Sequence, residues 1–134
     1  MKKQIISEAE KFKKNKLTSL FLQGAFFSFS SAILSYVLSS YIEKFIGSSF
    51  VGLIYLIPNI ISIILIFYFS KIIKKVGIYK AYILDIFLLF SSLFLQVFVD
   101  KNVFYIIFLL IIYQVTMSLS WVFIDYYVEK YSSD

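Results

Sequence analysis

Four long apolar stretches, separated by short charged ones, set the pattern of this chain. Leu17 to Ile42 is 26 residues without a charge. Phe45 to Ser70 carries none, and Ala81 to Val99 carries one, Asp85. From Val103 to Ile124 there is again none. A bilayer core of about 30 Å needs about 20 apolar residues in a helix. Each stretch is therefore long enough to cross, and the pattern predicts an all-α membrane bundle with spans at about 17–42, 50–70, 78–99 and 103–126. The first span exceeds the required length, so it is expected to tilt or protrude.

The polar positions inside these spans are few. In the first, Gly24, Ser28, Ser31, Ser35 and Ser39 recur every three or four residues, with Gln23 beside them. Small side chains at helical spacing let another helix approach closely; the same face also suits a polar cavity wall. In the second, Pro58 removes a backbone donor and predicts a kink, with Asn59 next to it. In the third, Asp85 lies below the headgroups, and Tyr82, Ser92 and Gln96 fall near its face. A carboxylate in a span costs about 2.5–3.5 kcal/mol on insertion scales. It reads either as a proton- or cation-coupling site or as a packing group held by a tyrosine or lysine. In the fourth, Gln114, Ser118, Trp121 and Asp125 are spaced by four, three and four and share one face. Tyr126, Tyr127 and Tyr131 follow as an aromatic belt. The cavity-lining candidates are thus Gln23, Asn59, Gln114, Ser118 and Trp121, and the coupling candidate is Asp85.

Composition agrees with lipid as the solvent. Of 134 residues, 60% are hydrophobic and 21% aromatic, with mean hydropathy +0.87; a soluble domain of this size cannot bury that much apolar surface. The net charge of +5 comes from lysines clustered at the span ends, which points to the membrane and away from nucleic acid. Met1 to Lys16 holds six lysines and two glutamates. Ile5, Ala9 and Phe12 share a helical face there, and Ser7 with Glu10 has capping-box spacing. The segment is expected to serve as a flexible basic flank that sets topology, 16 residues being marginal for a free helix. The alternative is an amphipathic helix on the anionic inner leaflet. Lys71, Lys74, Lys75 and Lys80 crowd a short loop between the second and third spans, Glu43 to Ser49 makes a short outer loop, and Asp100-Lys101-Asn102 makes a tight turn. Lysine is retained on the cytoplasmic side, so both termini are expected inside and the chain multi-pass in the inner (plasma) membrane. Its first apolar run is too long for a secretory signal.

There is no Cys, His or Arg, which removes disulfides, thiolate and imidazole metal sites and the Ser-His-Asp and Cys-His systems. No nucleophile–base pair or acidic cluster stands out, so neither an enzyme nor a metal or cofactor site is expected.

The basic loop also resembles a motif of the major facilitator superfamily (MFS), whose second and third helices are joined by Gly-x-x-x-Asp-Arg-x-Gly-Arg-Arg/Lys. Aligned on Gly77, this chain has Ser70 at the first glycine, Lys74 at the aspartate, Lys75 at the arginine and Lys80 near the later basic position. The small-residue first helix and an acid at the inner end of the fourth, Asp125, are similar too. The resemblance covers almost the whole chain and implies the first four helices of a secondary active transporter. It also implies a latch between Asp125 and the loop of Lys71, Lys74, Lys75, Gly77 and Lys80. That family uses about twelve helices, so a chain of four is expected to be a fragment, a truncated product, or a piece that works with further helices or partner chains. Other classes remain open. A small dimeric exporter carries a carboxylate in its first helix, where this chain has only Gln23. A polyprenyl-linked-sugar flippase subunit has a glycine-rich first helix, which is not found here. A membrane scaffold is the reading without transport.

Overall fold

Two glycines interrupt what is otherwise almost continuous helix. The structure, a computed structural model, describes residues 2–98 and 102–132. It contains α1 (Lys2–Ile46), α2 (Ser48–Val76), α3 (Ile78–Phe98) and α4 (Val103–Ser132). Gly47 alone separates α1 from α2, and Gly77 alone separates α2 from α3. Their backbones sit at φ 84°, ψ 155° and φ 86°, ψ 140°, a region that side chains of L-residues avoid. Each glycine N–H still donates to the carbonyl four residues back, Gly47 to Glu43 at 2.9 Å and Gly77 to Ile73 at 2.8 Å. The Gly77 carbonyl then accepts from the Ala81 N–H at 3.0 Å, which starts α3. At α4, Asn102 is the cap: its side-chain oxygen accepts from the Phe104 N–H at 3.2 Å.

The expected loops at 43–49 and 70–80 are therefore mostly helix. Lys71, Lys74 and Lys75 belong to the end of α2 and Lys80 to the first turn of α3. Lysines at a helix C-terminus oppose the negative end of the macrodipole, so the charged segment prolongs the helix instead of breaking it. The basic N-terminal segment is likewise helical and continuous with the first span. A span already formed supplies the nucleus, and extension adds a hydrogen bond for each residue fixed. At about 1.5 Å per residue the 45 residues of α1 reach about 68 Å, twice the bilayer core. The fourth helix also runs past Tyr126 to Ser132. Asp100 and Lys101 lie outside the described residues, as do the side chains of Ile5, Ser7, Ala9 and Glu10.

The bundle is organised around α4, which packs most extensively on α3, then on α2, then on α1; of the other pairs, α1 with α2 and α2 with α3 pack only lightly. Two buried clusters stack along it. Ile42, Ile54 and Leu110 join α1, α2 and α4. Leu89, Tyr113 and Met117 join α3 to α4, with Phe27 and Leu34 of α1 against them. Pro58 is fully buried inside α2, and the helix runs through it. The outside is apolar: Phe67, Phe104, Val97 and Tyr36 are all more than three-quarters exposed. In water such a surface aggregates. In a bilayer it is the lipid-facing side, and all four helices are long and apolar enough to span.

Candidate functional site

Most of the Ser and Thr hydroxyls that form hydrogen bonds among the described residues bond back to their own helix. Ser28 donates to Gly24 O, Ser92 to Leu89 O, Ser118 to Gln114 O, and Thr116 to both Ile112 O and Tyr113 O. Ser120 does not. It is buried, and its Oγ donates across to Oδ2 of Asp85 at 2.5 Å, tying α4 to α3. Asp85 is only 4% exposed. Its other oxygen, Oδ1, is buried and, among the described residues, has no hydrogen-bond partner. A carboxylate accepts at several lone-pair sites, and an unpaired one in an apolar setting carries a desolvation cost. The expected alternatives for its partner, a tyrosine or a snorkelling lysine, give way to Ser120. The reason is helix register: Ala81, Asp85, Leu89 and Ser92 form the buried face of α3, while Tyr82 is turned aside and accepts from Gln23 Nε2.

Beside Asp85 is a cavity of about 370 Å³. Its sides are Ile61, Leu65, Phe69 and Ile72 of α2 and Ala81, Leu84 and Leu88 of α3; α4 supplies the floor with Val115, Thr116, Leu119 and Phe123. Phe69 and Phe123 meet edge to face, their centroids 5.0 Å apart. Asp85 is the one ionisable side chain in the lining. Ile61, Leu84 and Leu88 are also exposed, so the cavity opens sideways, between the lightly packed α2 and α3. It lies in the half of the bundle near Gly77. Asp85 is seven residues into α3, about 10 Å along its axis.

The five residues expected to line a cavity are elsewhere. On α4, Gln114, Ser118, Trp121 and Asp125 fall within about 60° of one another, on the side opposite Thr116, Leu119 and Phe123. That stripe turns toward α1. Trp121 packs edge to face on Phe27, 5.8 Å between centroids, and lies against Gly24, where an added Cβ would meet the indole at 3.7 Å. The small-residue face of α1 is thus in part a seam for α4. Gln23 is exposed and engaged with Tyr82. Asn59 is exposed on α2, and among the described residues its side chain forms no hydrogen bond. The structure brings Gln114, Ser118 and Trp121 together, and leaves Gln23 and Asn59 apart from the cavity. Sequence reasoning picked out Asp85 but missed Ser120 and the apolar walls. The spacing of Thr116 and Ser120, four apart on α4, was the available signal.

At the basic end, Lys71, Lys74, Lys75 and Lys80 are exposed, and Lys71 Nζ lies 5.1 Å from the Tyr68 ring centroid. Asp125 is exposed, and among the described residues no ion pair joins it to these lysines. Around it is an aromatic girdle in which Tyr82, Tyr126, Tyr127 and Tyr131 stack or meet edge to face.

No protein-family model, no curated protein and no solved structure matches this chain.

Proposed function

We propose that this chain is a helical component of a secondary active membrane transporter, arranged like the first four helices of an MFS protein and incomplete by itself, with Asp85 as its proton- or cation-coupling carboxylate. One observation carries the reading: a carboxylate at membrane depth, more than nine-tenths buried, with one oxygen held by Ser120 and the other free beside a cavity. A purely structural acid would have both oxygens engaged, because an intramembrane charge is costly unless compensated. A group that exchanges a proton or a cation needs one oxygen without a fixed partner. Asn59 supports incompleteness. An amide facing outward within a span, without a partner, calls for a further helix to bond it. In this reading Asp125 meets the lysine-rich end of α2 and α3 as the helices move.

The test starts from the chain tagged in its native membrane and extracted in mild detergent. We expect a particle heavier than one 15.7 kDa chain. Sealed in liposomes with an internal pH dye, that particle should admit protons down an imposed gradient. Asp85→Asn should abolish entry, and Asp85→Glu should retain part of it. A monomeric particle, or unchanged entry with Asp85→Asn, overturns the reading. The purified chain alone is expected to oligomerise and to move nothing. A particle of chain copies only would make it an oligomeric exporter or flippase subunit, and a tight proton-silent one a scaffold.

Orientation has its own test. Eleven of the 13 lysines fall on the proposed cytoplasmic side, with Lys44 and Lys101 outside, a bias that fixes both termini inside. The chain has no native cysteine, and Ser48, Val76 and Asn102 are all exposed. Single cysteines there should react with an impermeant thiol reagent from outside at positions 48 and 102 and be spared at 76. The opposite pattern inverts the topology.

A further inference from the structure

We propose that the cavity between α2, α3 and α4 binds a small organic monocation with an apolar body, its ammonium N–H donating to the carboxylate of Asp85, whose unpartnered Oδ1 is buried beside the cavity and is reached by a turn of the side chain. This rests on the reading of Asp85 as a coupling group and names the ligand class it would exchange.

The lining selects by exclusion. A polyol or sugar needs several hydrogen-bonding side chains, and the cavity offers almost none, since Thr116 already gives its hydroxyl proton to its own helix. An anion would face a carboxylate with no lysine among the lining residues to offset it. A bare metal cation prefers a shell of several oxygens, whereas Asp85 is the one carboxylate among aliphatic and aromatic walls, with one oxygen already taken by Ser120. What remains is a molecule with one positive donor and a body that replaces lipid or water against Leu65, Phe69, Leu88 and Phe123. In an apolar site a charge-assisted hydrogen bond is stronger than a neutral one, and an aromatic face nearby favours a cation further. The volume of about 370 Å³ falls near the lower end of ligand cavities, roughly 300–1,000 Å³, which limits the body to about one ring with a short tail.

The approach route follows from charge and shape. The lysines at the α2–α3 end repel a cation arriving along the helix axes. The opening past Ile61, Leu84 and Leu88 faces the lipid instead. An amine with an apolar body concentrates in the bilayer and reaches Asp85 laterally. A proton on Asp85 and a bound ammonium neutralise the same oxygen pair, so the two compete.

The test uses the full chain in lipid nanodiscs at pH 8, with empty nanodiscs as the partition blank. Equilibrium dialysis follows radiolabelled 2-phenylethylammonium, with 2-phenylethanol and phenylacetate as the neutral and anionic counterparts of similar shape. We expect saturable binding of the ammonium, at least tenfold weaker binding of the alcohol and none of the carboxylate. Asp85→Asn should weaken ammonium binding at least tenfold. Leu88→Phe, which narrows the mouth at a partly exposed position, should weaken ammonium and alcohol alike while leaving the bundle folded. Equal binding of the ammonium and the alcohol, undiminished binding by Asp85→Asn, or no saturable binding overturns the proposal and leaves the cavity to lipid chains or neutral solutes. The two readings fail separately. If the ammonium does not bind while Asp85→Asn still stops proton entry, the ligand class is wrong and the coupling role stands. If it binds but proton entry survives Asp85→Asn, the coupling role falls and the binding site remains.

Discussion

Truncating Leu110 to alanine is expected to weaken the bundle by about 2–3 kcal/mol, whereas the same cut at Phe104 should change it by less than about 0.5 kcal/mol. Both residues are on α4, and both are large and apolar. Leu110 is 0% exposed, among Ile42 of α1 and Ile54 of α2; Phe104 is 86% exposed. In a soluble protein a buried Leu→Ala change costs about 2–5 kcal/mol, part of it lost transfer from water and part the cavity left behind. In a membrane the transfer part largely vanishes, because helices that come apart meet lipid as apolar as leucine itself. The cavity part persists, since a void deprives its lining of dispersion contacts that lipid would supply. Hence the expectation falls in the lower half of the range. Phe104 exchanges one lipid contact for another and leaves no void. The measurement is unfolding by sodium dodecyl sulfate, followed by fluorescence of Trp121. It is the chain's single tryptophan and reports the α1–α4 seam through its contacts with Phe27 and Gly24. Equal losses at both positions would mean that α4 is not the shared centre of the bundle.

That contrast also marks what the sequence could show. The four spans were legible, because a run of about 20 apolar residues admits one structure in lipid. Their ends were not. A lysine-rich stretch between spans reads as a loop only if the helix stops, and here Lys71, Lys74 and Lys75 prolong α2 until Gly77. The central place of α4 was hidden for a related reason. Leu110 and Phe104 look alike in a sequence, since the lipid-facing and buried sides of a membrane helix are equally apolar. Asp85 was legible as an anomaly, but its partner was not. Ser120 is one of many serines, and only the relative rotation of α3 and α4 selects it. The stripe of Gln114, Ser118, Trp121 and Asp125 was read correctly as one face. The side of the bundle it turns to is fixed by packing, and the cavity lies on the opposite side, between α2 and α3.

The same substitution, glycine to alanine, should act with opposite sign within α2 and at the junction that ends it. At Gly77 it is expected to destabilise by about 1–3 kcal/mol, the cost of holding a side-chain-bearing residue in a sparsely populated region of backbone space. At Gly52 it should stabilise by roughly 0.5–1 kcal/mol, because alanine is the better helix former and lowers the entropy of the unordered chain. Crowding does not distinguish them, since an added Cβ meets nothing within 4 Å at either position. Backbone geometry does. Gly77 has φ 86° and joins α2 to α3 as a single residue, while Gly52 is ordinary helix. The strain at position 77 has two outlets. Either α2 and α3 part, or the junction shifts to a conformation alanine accepts, which alters the angle at which the two helices flank the cavity. The second outlet is readable in the dialysis described above. Gly77→Ala should weaken 2-phenylethylammonium binding as well as stability, and Gly52→Ala should leave binding untouched. Gly47 has the same kind of backbone, φ 84°, but joins α1 to α2, away from the cavity. Gly47→Ala should therefore cost stability like Gly77→Ala while sparing the ligand. Loss of binding in both variants would show that the cavity depends on the bundle as a whole and not on the α2–α3 hinge.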